Sequence, residues 1–168
     1  NKKKFALQIG DKIGIVAFAK KITLEEVEFA VQIFQNWGLE VVLGATIGSE
    51  WNQFSGKDDD RRCDIQNMLD NPEIKAIISA RGGYGCVRVI DEIDFSNFSK
   101  NPKWLIGFSD ITVFHAHIAQ NIQIPTLHAT MPIFFNENSA ESLLFFSRSK
   151  TKLFRLSAFI FSISLIES

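Results

Sequence analysis

Short apolar runs alternate along the chain with segments of helical periodicity. Each run is bounded by turn residues, which is typical of buried strands. Five such strands are predicted, at residues 13–17, 41–43, 76–78, 104–106 and 125–128. Helical spacing of apolar positions predicts helices at residues 24–37, 61–69, 87–90 and 111–120. Because strands and helices alternate, we expect an α/β domain with a mostly parallel sheet and helices on both faces.

The ends of the first helix are marked in the sequence. Thr23 and Glu26 have the spacing of a capping box, and Gly38 suits a C-terminal stop. Residues 49–60 are polar, contain glycine and end in three aspartates, so they are predicted to form a loop. The aspartates could hold a divalent cation, although aspartate runs are more often solvated loops.

Two of the predicted strands end in segments that suggest chemistry. One strand continues into residues 79–85, Ser-Ala-Arg-Gly-Gly-Tyr-Gly, and another into residues 107–110, Gly-Phe-Ser-Asp. In a parallel sheet both segments lie at the edge formed by the carboxyl ends of the strands, where sites form. A serine there has its hydroxyl pushed out of the sheet, beside backbone N–H groups that could hold an oxyanion.

Each segment also has a simpler interpretation. Ser109 or Asp110 could merely cap the helix that follows, and Ile111 occupies the second glycine position of a G-x-S-x-G motif, so that motif is not matched. The glycine loop could cradle a phosphate or carboxylate, with Arg81 as a bidentate partner. It could equally be a tight turn that needs positive φ, and it matches neither a dinucleotide-binding nor a Walker motif.

The three histidines do not form a metal-binding or catalytic set. His115 and His117 are two residues apart on a predicted helix, so they point in different directions. His115 also follows Ser109 too closely to serve as its base. For these two residues and for His128 we favour surface or core-satisfying roles.

Composition and charge exclude several partners. The net charge is −1, with Lys and Arg spread along the chain, which argues against nucleic acid as the main partner. The two cysteines lie in unrelated contexts and favour a reducing compartment over a disulfide framework. No signal peptide is recognisable near the start, and the final apolar run is shorter than the roughly 17–25 residues that span a bilayer. We therefore expect no membrane partner.

Residues 10–17, 80–85 and 105–112, in this order, resemble the N-terminal half of the LD-carboxypeptidase family of serine peptidases. This family comprises muramoyltetrapeptide carboxypeptidases and microcin-immunity peptidases. Residues 126–132 are similar to the family's next segment, so the resemblance covers about residues 10–141. Phe18 replaces a usual proline and Ala129-Thr130 replace Gly-Pro, which could alter pocket walls but leaves the serine in place.

The resemblance implies a flavodoxin-like N-terminal domain of a cytoplasmic hydrolase in peptidoglycan recycling, with no metal and no cofactor. Its substrate would be a muropeptide or related peptide, cut at the amide between an L-residue and a terminal D-alanine. The residues implied by the resemblance are the nucleophile Ser109, the backbone oxyanion donors Asp110 and Gly83, and the substrate-binding residues Arg81, Gly82 and Tyr84.

The resemblance also implies a base that is a histidine oriented by a glutamate, both in a C-terminal domain that we expect this chain to lack. We therefore expect a nucleophile-bearing domain at residues 1–142 that is nearly inactive alone. Residues 143–168 form an atypical Ser/Phe/Ile-rich tail, for which we hypothesise a frameshift or premature stop. We expect the tail to be buried, within the chain or in a homodimer.

Two other functions stay open. The chain could be a non-catalytic remnant, or a small-ligand or peptide-binding module that keeps the anion-holding half of the pocket. It could also be a flavodoxin-like small-ligand binder, which would copurify with a nucleotide or flavin, although the loops do not favour this.

Overall fold

The computed structural model describes residues 7–136. The domain boundary predicted at residue 142 and the tail at 143–168 lie outside the described residues. Five strands form one sheet: β1 Lys12–Val16, β2 Glu40–Leu43, β3 Ile74–Ser79, β4 Trp104–Gly107 and β5 Leu127–His128. Their order is β2-β1-β3-β4-β5, and every neighbouring pair is parallel. This is the flavodoxin-like strand order, so the predicted fold class is confirmed.

Helices cover both faces of the sheet. The four helices of the described region are α1 Leu24–Asn36, α2 Asp58–Asp70, α3 Ser96–Lys100 and α4 Thr112–Asn121. On one face, α1 packs against Ile13 and Ile15, whereas on the other α2, α3 and α4 pack against Val16 and Ile77. The central strands are buried on both sides, which explains why their sequences are unbroken apolar runs.

The capping box predicted for α1 is present. The Glu26 N–H donates to Thr23 Oγ1 at 3.1 Å, and the Thr23 N–H donates to the Glu26 carboxylate at 2.8 Å. Gly38, just after the helix, has φ 81°, a conformation that favours glycine. The local sequence therefore determines both ends of this helix.

The prediction that residues 58–60 belong to a loop is wrong. The three aspartates form the first turn of α2, where negative charge interacts favourably with the helix dipole. Asp58 also pairs with Arg61 at 2.5 Å and with Arg88 at 2.6 Å. These two arginines are the partners that the structure gives this carboxylate.

Two further differences concern the segment between β3 and β4. The helix predicted at residues 87–90 is instead two short 3₁₀ turns, Cys86–Arg88 and Ile90–Glu92. The five-residue α3 was not predicted, because a helix of this length has no periodicity to detect. No helix within residues 7–136 has both the length and the apolar character needed to cross a bilayer.

Candidate active site

The turn from β4 into α4 is strained at its serine. β4 ends at Gly107, where a Cβ would lie 2.9 Å from Ile111 Cγ2 and 3.1 Å from Ser79 Cβ, so only glycine fits. Ser109 follows with φ 66° and begins the 3₁₀ turn Ser109–Ile111 that leads into α4. A non-glycine residue in this region of φ costs on the order of 1–3 kcal/mol, and such strain is concentrated at functional sites.

The Ser109 side chain is exposed and faces the glycine loop, residues 80–85. A Cβ placed on Gly82 would lie 3.1 Å from both Cβ and Oγ of Ser109. Within residues 7–136, Ser109 Oγ has no hydrogen-bond partner, and neither Ser109 nor Asp110 caps α4 through its side chain. The structure therefore does not support the capping interpretation, and it brings the two predicted segments together.

Two glycines of the loop pack directly against the segment that follows β1, where there is no room for a Cβ. A Cβ on Gly83, which has φ 139°, would lie 2.7 Å from Lys20 Cβ, and one on Gly85 would lie 2.9 Å from Ala19 Cβ. The sheet order reverses between β1 and β3, and ligands of such folds bind at this point. No residue of the described region accepts a hydrogen bond from the Gly83 N–H.

A hydrogen bond links the serine corner to Cys86, the residue directly after the glycine loop. The carboxylate oxygen Oδ2 of Asp110 accepts the backbone N–H of Cys86 at 2.8 Å. Burial, followed by the Asp110 charge, raises the pKa of the Cys86 thiol far above its usual range. Cys86 is therefore an inert buried thiol. Sequence reasoning did not anticipate that the Asp110 carboxylate accepts the Cys86 N–H.

The other two predicted substrate-binding residues differ in their surroundings. Arg81 Nη1 donates to the Lys21 carbonyl at 3.2 Å, and its buried Nε has no partner in the part of the chain that the structure describes. Its side chain thus extends towards the segment after β1. Tyr84 is 60 % exposed at the tip of the loop. Their predicted contacts with substrate stay predictions.

His115 binds the backbone at the strand end that precedes the serine. Its Nε2 lies 2.9 Å from the Gly107 carbonyl oxygen. Because a carbonyl only accepts, Nε2 carries the proton and Nδ1 does not. Burial lowers the pKa of His115, and this outweighs the opposite effect of the Gly107 hydrogen bond. His115 is therefore a neutral, backbone-binding histidine at pH 7.

The other two histidines lie on different surfaces. His117 stacks on Phe95 with ring centroids 5.0 Å apart, so His115 and His117 do point in different directions, as predicted. The exposed His128 lies 6.0 Å from the ring of Phe108. Over the described range, no histidine hydrogen bonds to Ser109.

Phe54 supports the glycine loop from the β2–α2 connection. A Cβ on Gly85 would lie 3.3 Å from Phe54 Cε1, and the guanidinium groups of Arg61 and Arg88 lie 4.7 and 5.3 Å from the Phe54 ring centroid. Asp58 pairs with both arginines. The hydrogen bond from Arg88 is the main cause that lowers the pKa of Asp58. Sequence reasoning missed this cluster because Arg88 is distant along the chain from Phe54, Asp58 and Arg61.

The fold and this corner define a class of protein: a parallel α/β domain with an exposed serine on a strained strand-to-helix turn, next to a glycine loop. A model of the LD-carboxypeptidase N-terminal domain matches residues 13–129. The chain belongs to this family, as the sequence resemblance predicted.

Curated relatives agree with this assignment. The probable murein peptide carboxypeptidase of Bacillus subtilis (strain 168) is 37 % identical over 131 residues, which are 78 % of this chain and 41 % of the relative. The murein tetrapeptide carboxypeptidase of Pseudomonas aeruginosa is 30 % identical over 125 residues, 71 % of this chain and 39 % of the relative. The chain therefore spans about two fifths of the length of these relatives.

Solved structures share the fold. The microcin C7 self-immunity protein MccF, in complex with aspartyl sulfamoyl adenosine, superposes with a TM-score of 0.72 at 27 % identity, over 76 % of this chain and 39 % of that one. A muramoyltetrapeptide carboxypeptidase from Oxalobacter formigenes gives a TM-score of 0.65 at 26 % identity, over 72 % and 40 %.

Proposed function

We propose that this chain is the nucleophile-bearing part of a serine carboxypeptidase of the LD-carboxypeptidase type. The reaction is hydrolysis of the amide between an L-residue and a terminal D-alanine in a muropeptide stem, in peptidoglycan recycling. The observation that carries the proposal is the exposed Ser109 at φ 66°, whose hydroxyl faces Gly82 and has no partner among residues 7–136. Family membership supports the substrate class.

In this proposal Ser109 Oγ attacks the scissile carbonyl carbon and its proton passes to a base. The tetrahedral oxyanion accepts the backbone N–H groups of Asp110 and Gly83. The Asp110 N–H suits this role because the first N–H groups of a helical turn have no partner within the turn. The C–N bond then breaks, D-alanine leaves with the proton from the base, and water hydrolyses the acyl-enzyme.

The base is proposed to come from outside residues 7–136. This follows from the histidines: His115 binds Gly107, His117 stacks on Phe95, and His128 makes no hydrogen bond to Ser109. Removal of the base from a serine triad costs several orders of magnitude in rate and leaves the residual effect of oxyanion binding. The 168-residue chain by itself is therefore expected to release almost no D-alanine.

Substrate binding is proposed for Arg81, Gly82 and Tyr84, which belong to the loop that faces Ser109. We also propose a cytoplasmic setting, and the free thiols of Cys63 and Cys86 agree with a reducing compartment. The substrate is a muropeptide or a related peptide with a free terminal carboxylate.

The test uses an Nα-acyl boronic acid analogue of L-lysine, which can form a tetrahedral adduct with an exposed serine hydroxyl held beside oxyanion donors, without a leaving group and without the base. We expect ¹¹B NMR to detect the adduct with the 168-residue chain and with the control variant Ser49→Ala. The adduct should be lost in Ser109→Ala. A tetrahedral signal that survives in Ser109→Ala would contradict the proposal.

A second candidate function is a binding module without chemistry, which the lack of a histidine bonded to Ser109 in the described residues favours. Such a module would bind a muropeptide equally well as wild type and as Ser109→Ala, and would form no boronate adduct. D-alanine release from a tetrapeptide stem separates the cases further. Robust release by the 168-residue chain, lost in Ser109→Ala, would show that the base lies within this chain.

A further inference from the structure

The two proposed oxyanion donors lie on different loops. The Asp110 N–H belongs to the corner after β4, whereas the Gly83 N–H belongs to the loop after β3. Donors that stabilise a transition state must keep their relative positions to within about 0.5 Å. Some interaction must therefore hold the glycine loop against the corner.

Backbone pairing does not supply this link. The β3–β4 ladder reaches only to Ile78 and Ile106, so the loops beyond it are not joined by strand hydrogen bonds. Of the side-chain hydrogen bonds in residues 7–136, the one between the corner and the chain directly after the glycine loop runs from the Cys86 N–H to Asp110 Oδ2, at 2.8 Å. A hydrogen bond to an ionised carboxylate is about twice as strong as a neutral one.

The packing leaves the loop little freedom to move without affecting Ser109. Gly82 is so close to the serine that an added Cβ would lie 3.1 Å from Oγ. On its other side, Gly83 is packed against Lys20. Because Cys86 follows directly after the glycine loop, a shift at Cys86 would displace Gly83 relative to Ser109.

We propose that the Asp110 side chain is a positioning residue that holds the Gly83 N–H in register with Ser109 through the Cys86 amide. This inference rests on the proposed function. Asp110 then acts twice, with its backbone N–H as an oxyanion donor and its carboxylate as the clamp on the neighbouring loop. The carboxylate does not touch the substrate, so only its acceptor oxygen is required.

The experiment compares Asp110→Asn, which keeps an acceptor oxygen, with Asp110→Ala, which does not. Asp94→Ala is the control. Asp94 also accepts a backbone N–H, at 2.8 Å, but its donor is Ser96 of α3 and not a residue of the site. The readouts are amide hydrogen exchange at Cys86 and the affinity of the lysine boronic acid, both corrected for the folded fraction.

For Asp110→Ala we expect exchange at Cys86 to accelerate at least about tenfold and boronate affinity to fall at least about tenfold, equivalent to the loss of one net hydrogen bond. Asp110→Asn should stay within about threefold of wild type in both, and Asp94→Ala should change neither. Should Asp110→Ala not fold, Asp110→Ser replaces it, since its hydroxyl is too short to reach the Cys86 N–H.

Each failure has a distinct meaning. If wild type forms the adduct but Asp110→Ala binds the boronate equally well, or if Asp110→Asn does not restore binding, the positioning role is wrong and the proposed function stands. If wild type forms no adduct, the proposed function is wrong and the positioning role falls with it.

Discussion

Two carboxylates hold loops at the same edge of the sheet, and they differ in how completely their surroundings are satisfied. Asp64 of α2 is buried and accepts three hydrogen bonds from the loop after β2: the N–H groups of Ala45 and Thr46, both at 2.9 Å, and the Thr46 hydroxyl at 2.7 Å. Asp110 is half-buried, and its carboxylate accepts the single N–H of Cys86.

The difference separates a structural loop from the glycine loop of the proposed site. The Asp64 loop is closed: a Cβ on Gly44 would lie 2.5 Å from Asp64 Oδ2, so nothing else fits there. Around Asp110, by contrast, two groups have no hydrogen-bond partner among the described residues: the Gly83 N–H of the glycine loop and the Ser109 hydroxyl of the corner. Gly83 and Ser109 are both exposed, so these two groups are open to a ligand, whereas the groups around Asp64 already bind one another.

The largest expected effect is on the structural loop. Asp64→Ala leaves two backbone N–H groups and a hydroxyl without an acceptor, so the free energy of unfolding should fall by about 3 kcal/mol. Urea denaturation measures it. The boronate affinity of the folded fraction should not change. A large loss of boronate affinity in the folded protein would mean that the two loops are coupled, and the distinction between them would fail.

Gly82→Ala tests the functional loop without removing a hydrogen bond. Its Cβ would lie 3.1 Å from Ser109 Oγ, so we expect boronate affinity to fall about tenfold, equivalent to about 1.4 kcal/mol, with a stability change below about 1 kcal/mol. Gly14→Ala is the matched control, because its Cβ meets the flexible Met68 sulfur at 2.8 Å in the core. That variant should change stability and leave boronate binding intact. The opposite pattern would place the site elsewhere.

Ser109→Gly tests whether the corner is strained for the sake of its side chain. Glycine tolerates φ 66°, so the variant should be more stable by about 1 kcal/mol while forming no boronate adduct. Asn52→Gly, at φ 54°, should also gain stability but keep the adduct. Thermal and urea unfolding of both variants measure the gain. A destabilised Ser109→Gly would show that the hydroxyl serves stability.

The smallest effect concerns a buried cation at the opposite end of β4. Lys103 Nζ donates to the carbonyls of Met68 and Asn71 at 3.1 and 2.6 Å, and burial lowers its pKa from 10.5 to about 8. Between these pH values the folded chain binds fewer protons than the unfolded chain, so this lysine makes the free energy of unfolding rise with pH.

Lys103→Met keeps the apolar stem and removes the titrating group. The free energies of unfolding of the two proteins should differ by about 1 kcal/mol or less near pH 7. The variant loses two hydrogen bonds but avoids the burial of a charge, and these effects offset each other. From about pH 8 to 10.5 the wild type should gain stability relative to the variant. Parallel pH profiles of urea unfolding in the two proteins would contradict this assignment.

The sequence predicted best where the signal is local. Thr23 and Glu26 cap α1 as expected, because a capping box needs only residues three positions apart. The strands were found because burial on both faces makes each of them an apolar run. Asp58 was misassigned to a loop, since its arginine partners and helical position depend on packing that composition does not reveal.

The candidate site was predictable only in part. The Gly107–Asp110 segment has the composition of a strand-to-helix corner, so the serine stood out. The His115 bond to Gly107 and the Asp110 bond to Cys86 did not, because no spacing rule connects these pairs. His128 makes no hydrogen bond to Ser109 in the described residues, but its pairing with Gly107 and its position beside Phe108 were not foreseen.

By itself, the sequence determined the order of the five strands and of α1, α2 and α4, and it marked the serine corner and the glycine loop, because apolar periodicity and glycine placement act over a few residues. The tertiary structure decided which loops meet. In the β1-β3-β4 order, the glycine loop lies between Lys20 and Ser109. The same order brings the Asp110 carboxylate to the Cys86 N–H. Such contacts arise from the parallel pairing of distant strands, which a local pattern cannot encode.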